Sequence, residues 1–183
     1  MNNVRRVVTG VDEQGRSVVI SDSAVSPLTA RAVPGYAWHR LWSFDAPPVV
    51  PNDGRSMHAP AHFPPPDGVR FIVFTVPPRA TPSAGTADPE AARELEEKFP
   101  GRAAHMESDQ TGLHTTATID LIYILSGEVS LELDDGKEVH LAAGDTVVQN
   151  GVRHAWRNYS DTQCSLVACI LGARKREDDS LSR

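Results

Sequence analysis

Ile119-Asp-Leu-Ile-Tyr-Ile-Leu125 runs into Ser126-Gly127; Glu128-Val-Ser-Leu-Glu-Leu133 into Asp135-Gly136; Lys137-Glu-Val-His-Leu141 into Ala143-Gly144; Asp145-Thr-Val-Val-Gln149 into Asn150-Gly151. Each run is short and rich in β-branched and aliphatic residues, and each ends at a glycine. Asp-Gly and Asn-Gly supply the positive φ angles that tight hairpins need. Val152 to Arg157 and Gln163 to Leu171 continue the series around the polar link Asn158 to Thr162. Regular spacing of this kind predicts an antiparallel sandwich or barrel. Val129, Leu131 and Leu133 alternate with Ser130, Glu132 and Asp134, which predicts one buried face and one wet face.

Upstream the pattern is looser. Arg5–Thr9, Ser17–Ile20, Tyr36–Trp42 and Val69–Val76 read as four more strands, with a proline-rich connection from Pro47 to Pro66 between the last two. One helix is expected over Pro89–Phe99. Asp88 can cap it, Pro89 suits its first position, Ala92, Leu95 and Phe99 share a face, and Pro100-Gly101 stops it. The chain therefore divides into an arm over residues 1–68, a barrel over 69–173 with a loop-and-helix insertion at 78–104, and a charged, disordered tail over 174–183. The insertion either packs outside the barrel or covers its mouth.

The 183 residues suffice for one domain with a sizeable core, and the net charge of −6 disfavours nucleic acid and anionic lipid as partners. No apolar run approaches the roughly 18 residues of a membrane span, and no signal-peptide core follows Met1–Arg6, so a cytoplasmic protein is expected. Cys164 and Cys169 fall on opposite faces of one strand and read as small apolar fillers.

Two segments carry the chemistry. Gly144-Asp145, Gly151, His154 and Asn158 resemble the second motif of the cupin superfamily, with Gln149 where proline is usual. His114, Asp120 and Gly127 resemble the first motif in a degenerate form, with Thr116 in place of the second histidine and Asp120 in place of glutamate. The resemblance spans roughly Gly112 to Gly172. It implies an all-β, jelly-roll antiparallel barrel whose mouth carries His114, Asp120, Gln149 and His154. It is specific for fold and much less so for chemistry.

The usual three-histidine, one-glutamate cage is incomplete here. His114, Asp120 and His154 would still provide two imidazoles and a carboxylate for one divalent ion, Zn, Fe, Mn or Ni. A metal-free pocket is equally open. In it, Asp120 would favour the protonated imidazoles and the set would serve acid–base chemistry. On a straight strand His114 and Asp120 would stand about 20 Å apart at roughly 3.3 Å per residue, so a shared site requires a bend between Thr116 and Ile119. Gln149 either orients a ligand or caps the Asn150-Gly151 turn. Trp156 is expected in the core and Tyr123 outside. Pro60 argues against a helical His58/His62 ligand pair. His105 and Glu107 would approach the mouth only if the insertion folds over it, His39 is expected to be structural or at the surface, and His140 on a solvated face.

A small-molecule lyase or isomerase (decarboxylation, dehydration or enolisation) is the favoured reading, with His114, Asp120, Gln149 and His154 as its machinery. A non-haem metal dioxygenase and a non-catalytic ligand-binding module are the alternatives. A homodimer involving the N-terminal arm is expected.

Overall fold

The computed structural model describes residues 3–55, 59, 61–81, 88–107 and 112–175. His58, most of the loop before the helix, and residues 176–183 of the expected tail lie outside the described residues. The strands are β1 (Val4–Val11), β2 (Ser17–Val25), β3 (Ala37–Phe44), β4 (Val69–Val76), β5 (Thr118–Ser126), β6 (Glu128–Glu132), β7 (Glu138–Ala142), β8 (Thr146–Asn150), β9 (Ala155–Arg157) and β10 (Cys164–Gly172). Every run read as a strand from the sequence forms one. The helix α1 covers Pro89–Lys98. Among the described residues no helix is long and apolar enough to cross a membrane.

Two sheets hold the core between them. One has the order β3-β4-β10-β5-β8 and the other β7-β6-β9. Antiparallel pairing runs throughout, as in a jelly roll. The inner positions of β5 are Thr118, Asp120, Ile122 and Ile124, and Leu166, Ala168 and Ile170 of β10 lie beside them. Val129, Leu131 and Leu141 face them from the smaller sheet. Ser130, expected on a wet face, is buried: β6 is the central strand, and its Ser130 is flanked by His140 of β7 and Arg157 of β9. His140 is exposed, 3.5 Å from Glu128. His39 is fully buried.

The β1–β2 hairpin forms its own two-stranded sheet, cross-linked by the Arg5–Asp22 pair. It touches the barrel where Arg6 Nη1 donates to Leu41 O at 3.0 Å. β3 joins the barrel sheet directly, through pairing with β4.

Two positions pin the barrel. Arg70 on β4 is only 2% exposed. It makes an ionic contact of 2.6 Å with Asp45 and donates to Ala61 O, Phe44 O and Val69 O. One side chain thus fastens the proline-rich connection to the sheet. Gly172 ends β10 against the same connection, so closely that a Cβ there would fall 1.7 Å from Pro65 O. Gly172→Ala is expected to destabilise the fold by about 1–3 kcal/mol through forced backbone displacement, seen as a lower urea midpoint at unchanged m-value.

The helix forms as its ends dictate. Asp88 accepts the Glu90 N–H at 2.9 Å, Pro89 opens the first turn, and Ala91, Leu95 and the fully buried Phe99 pack inward. Ala91, rather than Ala92, is the deeply buried alanine. Ala92 borders the cavity described next.

Candidate active site

Between the sheets and beneath α1 lies a cavity of about 1130 Å³. Its wall includes Asp120, Ile122, Ala168 and Ile170 from the large sheet and Trp156 and Arg157 from β9. Leu95, Arg102 and Met106 close it from the insertion side. A space of this size suits a small organic molecule. Tyr123, as expected, faces away and is exposed.

The bend that a shared site requires is present. His114 pairs with His154 through reciprocal backbone hydrogen bonds of 3.0 Å, and β5 begins only at Thr118. The chain changes sheets around Ala117, whose carbonyl accepts from Ala173 N–H. Gly151, at φ 63°, allows this: its missing Cβ would sit 3.1 Å from Thr116 O and 3.3 Å from Thr118 O.

His114 and His154 stand side by side with ring centroids 4.3 Å apart. His114 borders the cavity; His154, almost wholly buried, packs against it and against Trp156. His114 Nδ1 lies 3.1 Å from Gly112 O and His154 Nδ1 lies 2.9 Å from Val152 O. A carbonyl only accepts, so each neutral ring carries its proton on Nδ1 and keeps a lone pair on Nε2. Trp156 packs against the core, as expected, and also presents a face to the cavity.

Asp120 is 7% exposed. It borders the cavity, is hydrogen-bonded by Thr118, and keeps one carboxyl oxygen buried with no partner among the described residues. Gln149 lies directly opposite Asp120 in the β5–β8 register, on the same face. Its amide donates to Val152 O at 3.3 Å, so it braces the turn.

The electrostatics reverse the expectation that Asp120 would protonate the imidazoles. Burial and the neighbouring His154 push His114 down to about 4, and burial lowers His154 as well. Burial raises the Asp120 carboxyl to about 6, with Thr118 opposing. Desolvation is the largest cause of all three shifts.

The three-donor set is not assembled either. Among the described residues no group of three His, Cys, Asp or Glu side chains converges closely enough to hold a metal ion. Thr116, at the position of the missing histidine, spends its hydroxyl on Thr118 at 2.7 Å.

Several site residues carry no signal in the sequence pattern. Tyr36, His62, Phe63 and Arg102 border the cavity from irregular segments. His62 packs edge-on against Trp38 and Phe99, and burial holds it neutral, at about 3. His105 lies against Phe63. Glu107 borders the cavity and pairs with Arg153 at 2.5 Å.

Two facing antiparallel sheets around a polar-mouthed cavity define a jelly-roll barrel of the kind that encloses small ligands. Residues 104–170 match the family model described as the cupin domain, so this segment of the chain is a cupin domain. It is 42% identical over 50 residues to oryzines biosynthesis cluster protein J of Aspergillus oryzae, covering 27% of this chain and 28% of the relative. It is 46% identical over 68 residues to phomopsin biosynthesis cluster protein D of Diaporthe leptostromiformis, covering 37% of this chain and 36% of the relative. The matched stretches thus span about a third of these curated relatives. Among solved structures, the cupin domain of Schizosaccharomyces pombe Cnp3 superposes with a TM-score of 0.48 at 8% identity, covering 94% of this chain and 89% of that one.

Proposed function

We propose that the barrel is the active site of an isomerase or lyase that enolises a small carbonyl compound. The observation that carries this reading is Asp120: a carboxyl on the cavity wall, desolvated, with a buried oxygen left without a partner. A carboxyl at about 6 can take a proton from carbon and return it near neutral pH. His114, held neutral with its Nε2 lone pair available, would accept a hydrogen bond from a substrate hydroxyl or from the enol. His154 and Gln149 act as positioning residues, one behind the His114 ring and one bracing the turn beside Asp120. The names of the matched relatives, proteins of biosynthesis clusters, accord with small-molecule chemistry. The test is solvent-deuterium exchange into a panel of 2-oxo and 3-oxo acids, followed by proton NMR. Wild-type protein should exchange at least one of them and Asp120→Asn should not. Exchange that survives Asp120→Asn would defeat the proposal.

The chain also acts, on this reading, as a homodimer. Val148, Leu121, Cys169, Phe71 and Trp42 are successive cross-strand partners and form one row across all five strands of the larger sheet. Leu121 is 47% exposed, with Ile119, Tyr123 and Val148 around it. An apolar sheet face of this extent suits a self-complementary contact. Leu121→Lys is expected to halve the mass seen by light scattering without lowering the thermal midpoint of the monomer. A wild-type monomer across micromolar concentrations would remove the claim.

A further inference from the structure

Apart from Asp120, the carboxylates bordering the cavity are committed. Glu107 pairs with Arg153 at 2.5 Å and Glu132 with Arg157 at 2.5 Å. Glu138 accepts from Tyr159 Oη at 2.6 Å, and Glu96 accepts from Gly101 N–H at 2.7 Å. Arg102 differs. Its side chain borders the same cavity, and no described residue accepts a hydrogen bond or forms an ion pair with its guanidinium. Its backbone is pinned: Gly101 turns the chain at φ 77°, and Arg102 N–H donates to Phe99 O at 3.1 Å beneath the buried Phe99 ring.

The guanidinium is partly desolvated, and burial works against its charge. Its charge adds to the burial that lowers His62 and His114 and opposes the burial that raises Tyr36, so these groups lie near it around the cavity. A half-buried cation without a counter-charge is costly, and an anion arriving in the cavity would relieve that cost.

We propose that Arg102 is the anchor for a carboxylate, and that the ligand of this cavity is a monocarboxylate with an aromatic or apolar body. The charge count favours one negative charge. Arg157 is already paired with Glu132, and Arg79 stands at the exposed rim over the Tyr159 ring. A phosphate dianion would bring a second charge that nothing at this end matches. Trp38, Phe63, Phe74 and Trp156 line the walls between, and aromatic faces of this kind suit a flat apolar body. The inference rests on the cavity being the substrate site and extends that reading to the class of molecule bound.

Binding can be measured without turnover. Phenylpyruvate, 4-hydroxybenzoate and indole-3-acetate would be titrated calorimetrically against the full chain, beside phenylacetamide, 4-hydroxybenzamide, indole-3-acetamide and phenyl phosphate. At least one acid should bind tenfold or more tighter than its uncharged counterpart and than phenyl phosphate. Arg102→Met should abolish that preference while leaving amide binding unchanged, and Arg102→Lys should retain part of it. Equal affinity for acids and amides on the unmodified protein would overturn the proposal, as would a preference for phenyl phosphate, or a preference for acids that persists in Arg102→Met. The unmodified protein decides the matter even if both arginine variants fail to fold. Carboxylate preference without deuterium exchange would sink the acid–base reading alone; exchange without carboxylate preference would sink this one alone.

Discussion

Asp120→Asn is expected to lower deuterium exchange by about 100-fold or more, the usual worth of a positioned general base, while making the protein more stable at neutral pH. Most substitutions at a buried polar group do the opposite. The reason lies in the sign of the shift. Burial raises the folded-state carboxyl to about 6, above its ordinary 3.8. A carboxyl shifted upward binds its proton more tightly in the folded chain than in the unfolded one. Stability therefore falls as pH rises from about 4 to about 6, and the full cost is present above that window. Two units correspond to ~3 kcal/mol as an upper figure. The amide variant never ionises and escapes this cost. Its advantage in thermal midpoint should be greatest above pH 6 and should vanish toward pH 4. Activity should follow the mirror-image course: kcat/KM of wild type should rise with pH through about 6, as the base loses its proton. His114, at about 4, should add no limb between pH 5 and 8. A variant that loses exchange and also loses stability at pH 7 would mean that Asp120 is structural.

Arg70→Met should give the largest loss of stability in the barrel. Substitution strips the partner from Asp45 and leaves the carbonyls of Ala61, Phe44 and Val69 without their donor. Breaking a buried charged network by removing one member costs about 3–5 kcal/mol. For a chain of this size that is a fall of roughly 6–20 °C in thermal midpoint. Arg70→Lys should recover little, since a single ammonium cannot reach three carbonyls and a carboxylate in the planar fork that guanidinium provides. Differential scanning calorimetry of the two variants checks this. Near-wild-type midpoints would show that the proline-rich connection is held by other contacts.

The architecture was legible because the glycine turns are local chemistry. Asn150-Gly151 and Asp135-Gly136 mark hairpins without reference to the rest of the chain, and strand ends fall within a few residues of where the turns place them. The site was legible only in part. His114 and His154 come together because their segments pair. Ser130 is buried because two neighbours flank its strand, which alternation along β6 cannot show. The direction of the histidine shifts depends on how much water the fold removes, and no spacing encodes that. Arg102, Tyr36, His62 and Phe63 reach the cavity from irregular segments, where the only hint at Arg102 is its place directly after the Pro100-Gly101 stop.

The sheet switch at Ala117 makes motif spacing a mechanical quantity. Side chains alternate along β5, so adding or deleting one residue between the switch and Asp120 would exchange its two faces. Leu121 or Ile119 would then point at the ligand, and the carboxyl would join the apolar row outside. Length variation should be tolerated in the hairpin turns, where an extra residue only lengthens a loop. It should be forbidden over Ala117–Asp120, where the same event would take the Asp120 carboxyl off the cavity wall and charge the outer sheet face at once.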